Sequence, residues 1–279
     1  MILPITVHSE NKNDCKEKIN NVIYNNIIYI HIIAFFFFIS LTIGFIFGIK
    51  NLDVVPTTSF SSSDSPDSPD LQKYDNNSFN PCLLIIFSTF FATLDHALIS
   101  IFGYLKPNLL KKYLFEYKCN PIRWIEYSIS SSLLLVAIGI LSGISDIHMW
   151  FLLFIPNFIS MFFGYILEKL SSLNIDKKLD FVILCIYILI SFLVFTPWIA
   201  PLSYFFNLVS IQNNTPAFLF ISIFGTLFGF ICFGINSFFY HILHLYEFYT
   251  AEYIYVLLSF LTKFSFSVSI YGGFLSISK

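Results

Sequence analysis

Seven long apolar stretches constrain the fold of this chain more than any other feature of its sequence. Each is long enough to cross the hydrocarbon core of a bilayer as a helix, which takes about 20 residues. A composition of 56% hydrophobic and only 11% charged residues, with a mean hydropathy of +0.75, is typical of a multi-pass membrane protein. We therefore predict an all-α bundle of seven transmembrane helices, with spans at about 22–49, 81–105, 123–144, 149–170, 179–200, 217–240 and 250–278.

The segments outside these spans divide the chain into a tail and one membrane domain. Residues 1–20 are polar and form a predicted cytoplasmic tail, whereas residues 21–279 form the predicted seven-helix domain. A loop at 51–80, rich in Ser, Asp and Pro, joins the first two spans and is long for a connection between helices.

The distribution of Lys and Arg predicts the orientation of the bundle, because basic residues accumulate in cytoplasmic loops. Eleven of these residues flank the spans on the side of the N-terminus, against three on the other side. Two Asn-x-Ser/Thr patterns, at 76–78 and 213–215, both fall in loops that this count assigns to the exterior. We therefore predict a cytoplasmic N-terminus and an exterior or luminal C-terminus.

One cation lies near the middle of the seventh apolar stretch. Lys263 has no Asp or Glu within ten residues on either side. A lysine at the centre of a membrane helix costs about 3 kcal/mol, so some interaction must offset that cost. A carboxylate on another helix could pair with the amine, the amine could be condensed with an aldehyde as a Schiff base, or the side chain could snorkel to the headgroups.

Few carboxylates are available as partners of this lysine. Those inside the spans or at the entrance of span seven are Asp95, Glu126, Glu168, Glu247 and Glu252. Arg123 precedes Glu126 by one helical turn, so both side chains lie on one face of the third span. Such a pair either directs a carboxylate into the bundle or forms an ion pair at the membrane interface. The residues alone leave both interpretations open.

Spans three and seven resemble the heliorhodopsins, a family of retinal-binding seven-helix proteins with a cytoplasmic N-terminus. The resemblance rests on Arg-Trp-Ile-Glu-Tyr-Ser at 123–128 and on the pattern Ser259-x-x-x-Lys263. It implies a rhodopsin-like bundle in which all-trans retinal is bound covalently to Lys263 as a Schiff base. It also implies that Glu126 is the counterion, that Ser259 lies beside the Schiff base and that Tyr127 lies against the polyene.

A polar cavity on the cytoplasmic side is also implied by this resemblance. His31 and His96 match two interior histidines of the family, and we expect Arg123 and Glu168 to belong to the same cavity. His31 taken alone is also explained as a buried core histidine. His96 follows Asp95, and an Asp-His pair inside a membrane span is costly, which favours a polar cavity over contact with lipid.

Further similarities to the family lie in spans four and six, and one departure lies in the first loop. Asn157 and Gly164 match positions in span four, and Asn236 with Tyr240 resembles an Asn/Tyr pair in span six. We expect Asn157, Gly164 and Asn236 to contribute to retinal binding. The loop at 51–80 does not have the pattern of the β-hairpin that family members carry there.

The sequence favours a light sensor over an ion pump, and we expect no enzymatic activity. A pump needs carboxylates on both sides of the chromophore, but residues 129–140 of span three contain no Asp or Glu after Glu126. Two alternatives stay open. One is a light-gated proton channel, and the other is a retinal-free transporter or receptor in which Lys263 and Glu126 form a binding pair.

Composition also limits which metals and partners the chain is expected to bind. The five cysteines are scattered without metal-ligand spacing, so no metal site is predicted. A net charge of −2 argues against a nucleic-acid-binding surface. The expected partners are the lipid bilayer and, by the resemblance, a second copy in a homodimer. An unidentified cytoplasmic signalling partner is a further expectation.

Overall fold

The computed structural model describes residues 12–50, 81–173, 178–211 and 215–277, with side chains described for 17–48, 81–173, 178–211 and 215–273. Within these ranges the chain is helical apart from short turns and connections, and it contains no strand. Seven helical segments of this part are long and apolar enough to cross a membrane. The predicted all-α class and the predicted number of spans are therefore confirmed.

From Pro81 onwards, short connections join one helix to the next. In chain order the helices are α1 (Lys12–Lys50), α2 (Pro81–Leu105), the short α3 (Pro107–Lys111), α4 (Pro121–Leu141), α5 (Ile147–Leu173), α6 (Asp180–Phe195), α7 (Ile199–Ile211), α8 (Ala217–His241) and α9 (Phe248–Ile277). Spans one to four are α1, α2, α4 and α5. Span five consists of α6 and α7 joined by a turn of 3-10 helix, and spans six and seven are α8 and α9.

The central helix of the bundle is α4. Helices adjacent in sequence pack on one another, and α9 packs against both α8 and α1, which closes the bundle. In α4, 78% of the apolar segment is buried inside the protein, whereas the corresponding share for span five is 22%. Most side chains of α4 therefore face protein rather than lipid, and Ile125 is an exposed exception.

The start of α4 is fixed by an Asn-Pro sequence. The Asn120 side chain accepts a hydrogen bond from the backbone N–H of Arg123 at 3.3 Å, as a residue that caps a helix does. Pro121 follows at the first helical position, where its missing N–H is not needed. This start determines which way Arg123 and Glu126 point from the helix.

Two predicted boundaries differ from the structure. Helix α1 begins at Lys12, inside the predicted tail of residues 1–20, because polar residues can extend a helix beyond its membrane-embedded part. Span five continues to Ile211, through most of the predicted loop at 201–216. The prediction was wrong there because Pro201 lies in the first turn of α7, where proline is compatible with a helix.

Some predictions fall on residues that the structure does not describe. These are the first part of the tail, 1–11, and the whole loop at 51–80, which includes the pattern at 76–78. Residues 213 and 214 of the second Asn-x-Thr pattern are also outside the described ranges.

The buried interior has an apolar half and a charged half. The largest apolar cluster joins the C-terminal half of α4 to the C-terminal part of α9, with Leu135, Ile138 and Ile270 completely buried. Among the described residues, the buried charged side chains all lie towards the opposite end, where α4 and α9 begin. The candidate site lies at the border between these halves and extends into the charged one.

Candidate functional site

The buried amine of α9 is paired with the carboxylate of α4. Lys263 Nζ donates a hydrogen bond to Glu126 Oε1 at 2.5 Å, and the two residues are 5% and 4% exposed. A buried ammonium is tolerated when a carboxylate neutralises it, so this contact offsets the cost of a lysine in mid-membrane. The geometry does not match the alternative in which Lys263 snorkels to the headgroups.

Two aromatic rings also face the amine. The Nζ atom of Lys263 lies 5.6 Å from the centroid of the Phe38 ring and 5.7 Å from that of Tyr127. Both distances are within the range of a cation–π interaction. The Tyr127 hydroxyl is directed elsewhere and donates to the carbonyl of Tyr255 at 3.0 Å, which fastens α4 to α9.

A cavity with mostly apolar walls adjoins Lys263. It is lined by side chains of spans three to seven, and its aromatic walls include Trp124, Tyr127, Tyr187, Phe230, Phe233 and Tyr255. Ser259, one turn before Lys263, also lines it. Its hydroxyl is buried and has no hydrogen-bond partner within the described part of the chain. The cavity therefore suits an apolar, conjugated molecule that ends at the lysine, with one hydroxyl free to contact that end.

Gly164 brings α5 close to α4 at the wall of this cavity. A Cβ atom at this position would collide with the indole ring of Trp124. The indole Nε1 donates to Glu168 Oε2 at 2.7 Å, so the ring cannot move aside without losing that bond. Gly164 thus sets the position of Trp124, which itself lines the cavity.

The other two predicted retinal-binding residues lie outside the lining of the cavity. Asn157 Nδ2 donates to the hydroxyls of Ser131 and Ser132 at 2.7 and 3.0 Å and joins α5 to α4. Asn236 Nδ2 donates to the carbonyl of Ala251 at 3.3 Å, and its Oδ1 accepts from Tyr246. Both asparagines therefore connect helices around the cavity.

Arg123 is buried and does not pair with Glu126. It forms ion pairs with Glu168 of α5 and with Glu252 of α9. Asn120 connects the same two carboxylates, since its backbone N–H donates to Glu168 Oε2 at 3.0 Å and its side chain donates to Glu252 Oε1 at 2.5 Å. An ion pair at an exposed helix end does not describe this arrangement, because Arg123 is 2% exposed.

The two predicted histidines contact one another in the same half of the bundle. The Nδ1 atoms of His31 and His96 are 2.8 Å apart, and Asp95 Oδ2 lies 3.2 Å from His96 Nδ1. His31 Nε2 is 3.8 Å from Glu252 Oε1. Asp95, the histidines, Glu252 and Arg123 therefore form one continuous buried network.

The His-Asp-His group also has a spacing that a metal ion could use. One ligand atom from each of His31, Asp95 and His96 lies within 4.8 Å of the others. The cysteine next to the network offers no thiolate. Burial, reinforced by the Glu168 carboxylate, raises the pKa of the Cys119 thiol to about 12.

Sequence reasoning did not assign a role to Glu252, Asn120 or Phe38. For Glu252 a signal existed: it precedes Lys263 by eleven residues, about three helical turns, so the two share a face of α9. For Asn120, the sequence indicated the start of a helix, as described above. It did not indicate the two carboxylates that Asn120 contacts. Phe38 is one of many phenylalanines in apolar stretches, and nothing in the pattern distinguishes it.

The bundle and the site define a class of protein: a seven-helix membrane protein whose last span carries a buried lysine, paired with a carboxylate beside an aromatic cavity. The Heliorhodopsin family model matches residues 23–275, nearly the whole chain. The chain belongs to the heliorhodopsin family, whose members are retinal-binding, light-responsive membrane proteins of the rhodopsin type. A search of the curated proteins gives no match.

Proposed function

We propose that this protein is a non-pumping light sensor in which all-trans retinal is bound covalently to Lys263 as a protonated Schiff base, with Glu126 as counterion. The observation that carries the proposal is the 2.5 Å contact between Lys263 Nζ and Glu126 Oε1 beside the aromatic cavity. The Nζ atom of the free lysine stands where the imine nitrogen would be. Bound retinal would supply the absorption of visible light and a light-driven change of shape.

Each residue around Lys263 has a different part in stabilising that cation. The carboxylate of Glu126 is in direct contact with Nζ and balances the positive charge there. The unpaired hydroxyl of Ser259 is available to bond the nitrogen or the counterion. The rings of Tyr127 and Trp124 form walls of the cavity.

The one-sided arrangement of charge supports a sensor over a pump. The buried charged network extends from Lys263 towards the start of α4, whereas the other half of the interior is the apolar cluster around Leu135 and Ile138. A proton that leaves Lys263 thus has buried acceptors in one direction. This proposal includes an orientation that puts these acceptors on the cytoplasmic side. It also includes a homodimer, a cytoplasmic signalling partner and the division into a tail at 1–20 and a domain at 21–279.

A light-gated proton channel is the second candidate. The observation in its favour is the continuity of the buried network from Asp95 through the histidines to Glu252 and Arg123. A channel needs a conducting route through the apolar half as well. Photocurrents in voltage-clamped cells decide between the two, since a channel gives a current whose direction follows the voltage and a sensor gives none.

Reconstitution with all-trans retinal tests the proposal. We expect a visible absorption band in the parent protein and none in Lys263→Ala or Lys263→Arg, because neither side chain can form the imine. Lys263→Arg retains a cation and so controls for loss of the ion pair alone. Lys169→Ala, at a half-buried lysine on α5, is the matched control and should keep the band.

The counterion is tested with Glu126→Gln. Without the carboxylate the proton is lost more easily, so at neutral pH the band should move from the visible towards the near ultraviolet. A colourless parent protein would contradict the proposal and favour the retinal-free binding pair. An unchanged visible band in Glu126→Gln would contradict the role of Glu126.

A further inference from the structure

The ring of Tyr255 on α9 contacts both the cavity and the buried charged network. Tyr255 is buried, and its side chain lines the cavity together with Lys263. The guanidinium carbon of Arg123 lies 4.3 Å from the centroid of the same ring. An arginine at this distance from an aromatic ring is held by a cation–π interaction as well as by packing. A displacement of the Tyr255 ring therefore changes the surroundings of Arg123.

The backbone of Tyr255 is fixed, whereas its ring is held by aromatic contacts. Its carbonyl accepts a hydrogen bond from the Tyr127 hydroxyl at 3.0 Å. The ring is stacked on Phe233 of α8, which also lines the cavity, with centroids 6.0 Å apart and planes inclined by 17°. A change of shape in the cavity therefore acts on the ring of Tyr255 before it acts on the helix.

Trp124 is a second ring that contacts both regions, but it is held more firmly. Its ring centroid lies 5.1 Å from the guanidinium carbon of Arg123, and its Nε1 donates a hydrogen bond to α5. Gly164 leaves the indole no spare space on the side of α5. The buried hydroxyl of Tyr255 has no well-formed hydrogen bond within the described residues, although Ser237 is near enough to interact with it. Tyr255 is therefore the wall residue with more freedom to move.

The two carboxylates that pair with Arg123 are also held differently. Glu168 accepts a hydrogen bond from the backbone N–H of Asn120 at 3.0 Å, which ties it to the main chain at the start of α4. Within the described part of the chain, the hydrogen bond to Glu252 comes from a side chain, that of Asn120, at 2.5 Å. Glu252 also precedes Tyr255 by one turn on the same face of α9. The Arg123–Glu252 pair is thus the one that a movement of the ring changes.

We propose that Tyr255 is the positioning residue through which a change of shape in the cavity alters the Arg123–Glu252 ion pair. This inference rests on the proposed function, because light supplies the change of shape. When the ring moves, Arg123 loses its stacking contact and shifts towards Glu168, which weakens its pair with Glu252. No covalent bond changes and no proton has to move. The charged end of the bundle, where α4 and α9 begin, thereby responds to an event at Lys263.

Isotope labelling gives a direct probe of this response, because Arg123 is the only arginine in the sequence. In protein with ¹⁵N-labelled arginine, every infrared band that shifts with the label comes from Arg123. We expect such guanidinium bands in the light-minus-dark spectrum of the retinal-loaded parent. Tyr255→Leu removes the ring and should abolish them, whereas Tyr255→Phe keeps the ring and should retain them.

Tyr253→Leu is the matched control for Tyr255→Leu. Tyr253 is a half-buried residue two positions earlier on α9, and it does not line the cavity. The same change of residue type at this position should leave the arginine bands as they are in the parent. Equal loss of the bands in both variants would show a general loosening of α9 and would overturn the role of Tyr255.

Glu252→Gln tests which ion pair responds. Without the carboxylate the pair that is expected to change is absent, so the light-induced arginine bands should be weaker than in the parent. Glu252 lies outside the lining of the cavity, so this variant does not alter the walls themselves. Bands of parental strength and position in Glu252→Gln would contradict the assignment of the response to this pair.

A further measurement needs no retinal. An aromatic ring shifts the magnetic resonance signals of nuclei that lie over its face, so the ¹⁵N-labelled guanidinium of Arg123 reports its contact with Tyr255. Tyr255→Leu should shift these signals, while Tyr255→Phe and Tyr253→Leu should leave them close to those of the parent. A variant that has lost its fold is recognised by the signals of a solvent-exposed arginine.

The outcomes separate this inference from the proposed function. Failure of the parent to form a pigment would contradict the proposed function, while the arginine resonances would still decide the contact between Tyr255 and Arg123. A pigment without light-induced arginine bands, or with the same bands in Tyr255→Leu as in the parent, would overturn this inference and leave the proposed function intact.

Discussion

At the scale of the residue, the buried cation Arg123 forms ion pairs with two carboxylates. It lies between Glu168 and Glu252, and all three side chains are almost completely inaccessible to solvent. Removing one partner of a buried ion pair is costly, because the remaining charge stays buried without compensation. The cost depends on how many buried charges lose their partner. That number differs between removal of the arginine and removal of one carboxylate.

Arg123→Gln should therefore destabilise the protein more than Glu168→Gln. Loss of the arginine leaves two carboxylates unpaired, with an expected cost of about 3–5 kcal/mol in the free energy of unfolding. Loss of Glu168 leaves Arg123 paired with Glu252, so a smaller decrease is expected. Unfolding in mixed detergent micelles measures both.

The control for this prediction is an exposed ion pair. Lys118 Nζ lies 3.3 Å from Glu247 Oε2, and the two side chains are 46% and 62% exposed. Such pairs contribute less than about 1 kcal/mol, so Lys118→Gln should change stability little. Equal effects of Arg123→Gln and Lys118→Gln would contradict the importance of the buried cluster.

The sequence could identify a site residue when its residue type is rare in apolar stretches. Lys263 and Glu126 were recognisable because each is isolated in an apolar stretch. Glu168 was expected near Arg123 only through the family resemblance, and the second partner of Arg123, Glu252 of α9, was not recognisable. Spacing along one helix cannot report which face of another helix meets it.

At the scale of the element, the contact between α4 and α5 fixes one wall of the cavity. Gly164 on α5 allows the Trp124 ring of α4 to approach its backbone, and the bond from Trp124 to Glu168 holds the ring there. A larger side chain would push the ring towards the cavity. The close packing of these two spans and the shape of the site are therefore linked.

Gly164→Ala should destabilise the protein and reduce pigment formation. Overpacking a tightly filled contact costs about 1–3 kcal/mol, and here it also displaces Trp124. Gly225→Ala is the matched control, since a Cβ atom at that position in α8 has nothing within 4 Å. Thermal stability and the yield of visible band after addition of retinal measure both effects. Equal pigment yields in the two variants would contradict the link between packing and the site.

The existence of the helices was predictable, but two of their ends were not. Hydropathy locates the part of a helix that lies in the membrane, and it identified all seven spans. It does not report the helix beyond the membrane, as at Lys12. It also predicted a false helix end near Pro201. The sequence does not distinguish a proline in the first turn of a helix, as in α7, from a proline that ends a helix.

At the scale of the whole molecule, the bundle separates an apolar half from a charged half. The apolar half contains the cluster around Leu135 and Ile270, and the charged half contains the network from Asp95 to Arg123. Composition and periodicity predicted a bundle of seven helices. They could not predict this separation, because it arises from how seven helices with different polar positions align.

The proposed orientation puts the charged half on the cytoplasmic side. It predicts that a cysteine introduced at Asp146, in the exposed connection between α4 and α5, reacts in intact cells with a thiol reagent that cannot cross membranes. A cysteine at Lys118, at the other end of the bundle, should react only after the cells are opened. The parent protein gives the background labelling. The reverse pattern would contradict the orientation.

The most direct measurement of the central claim is the location of the retinal. Borohydride reduces an imine to a stable amine, so treatment of the illuminated, retinal-loaded protein should fix the group on the lysine that holds it. Peptide mass spectrometry is expected to find a single retinyl group, on the α9 peptide that contains Lys263. A retinyl group on a different lysine, or none on any peptide, would contradict the account.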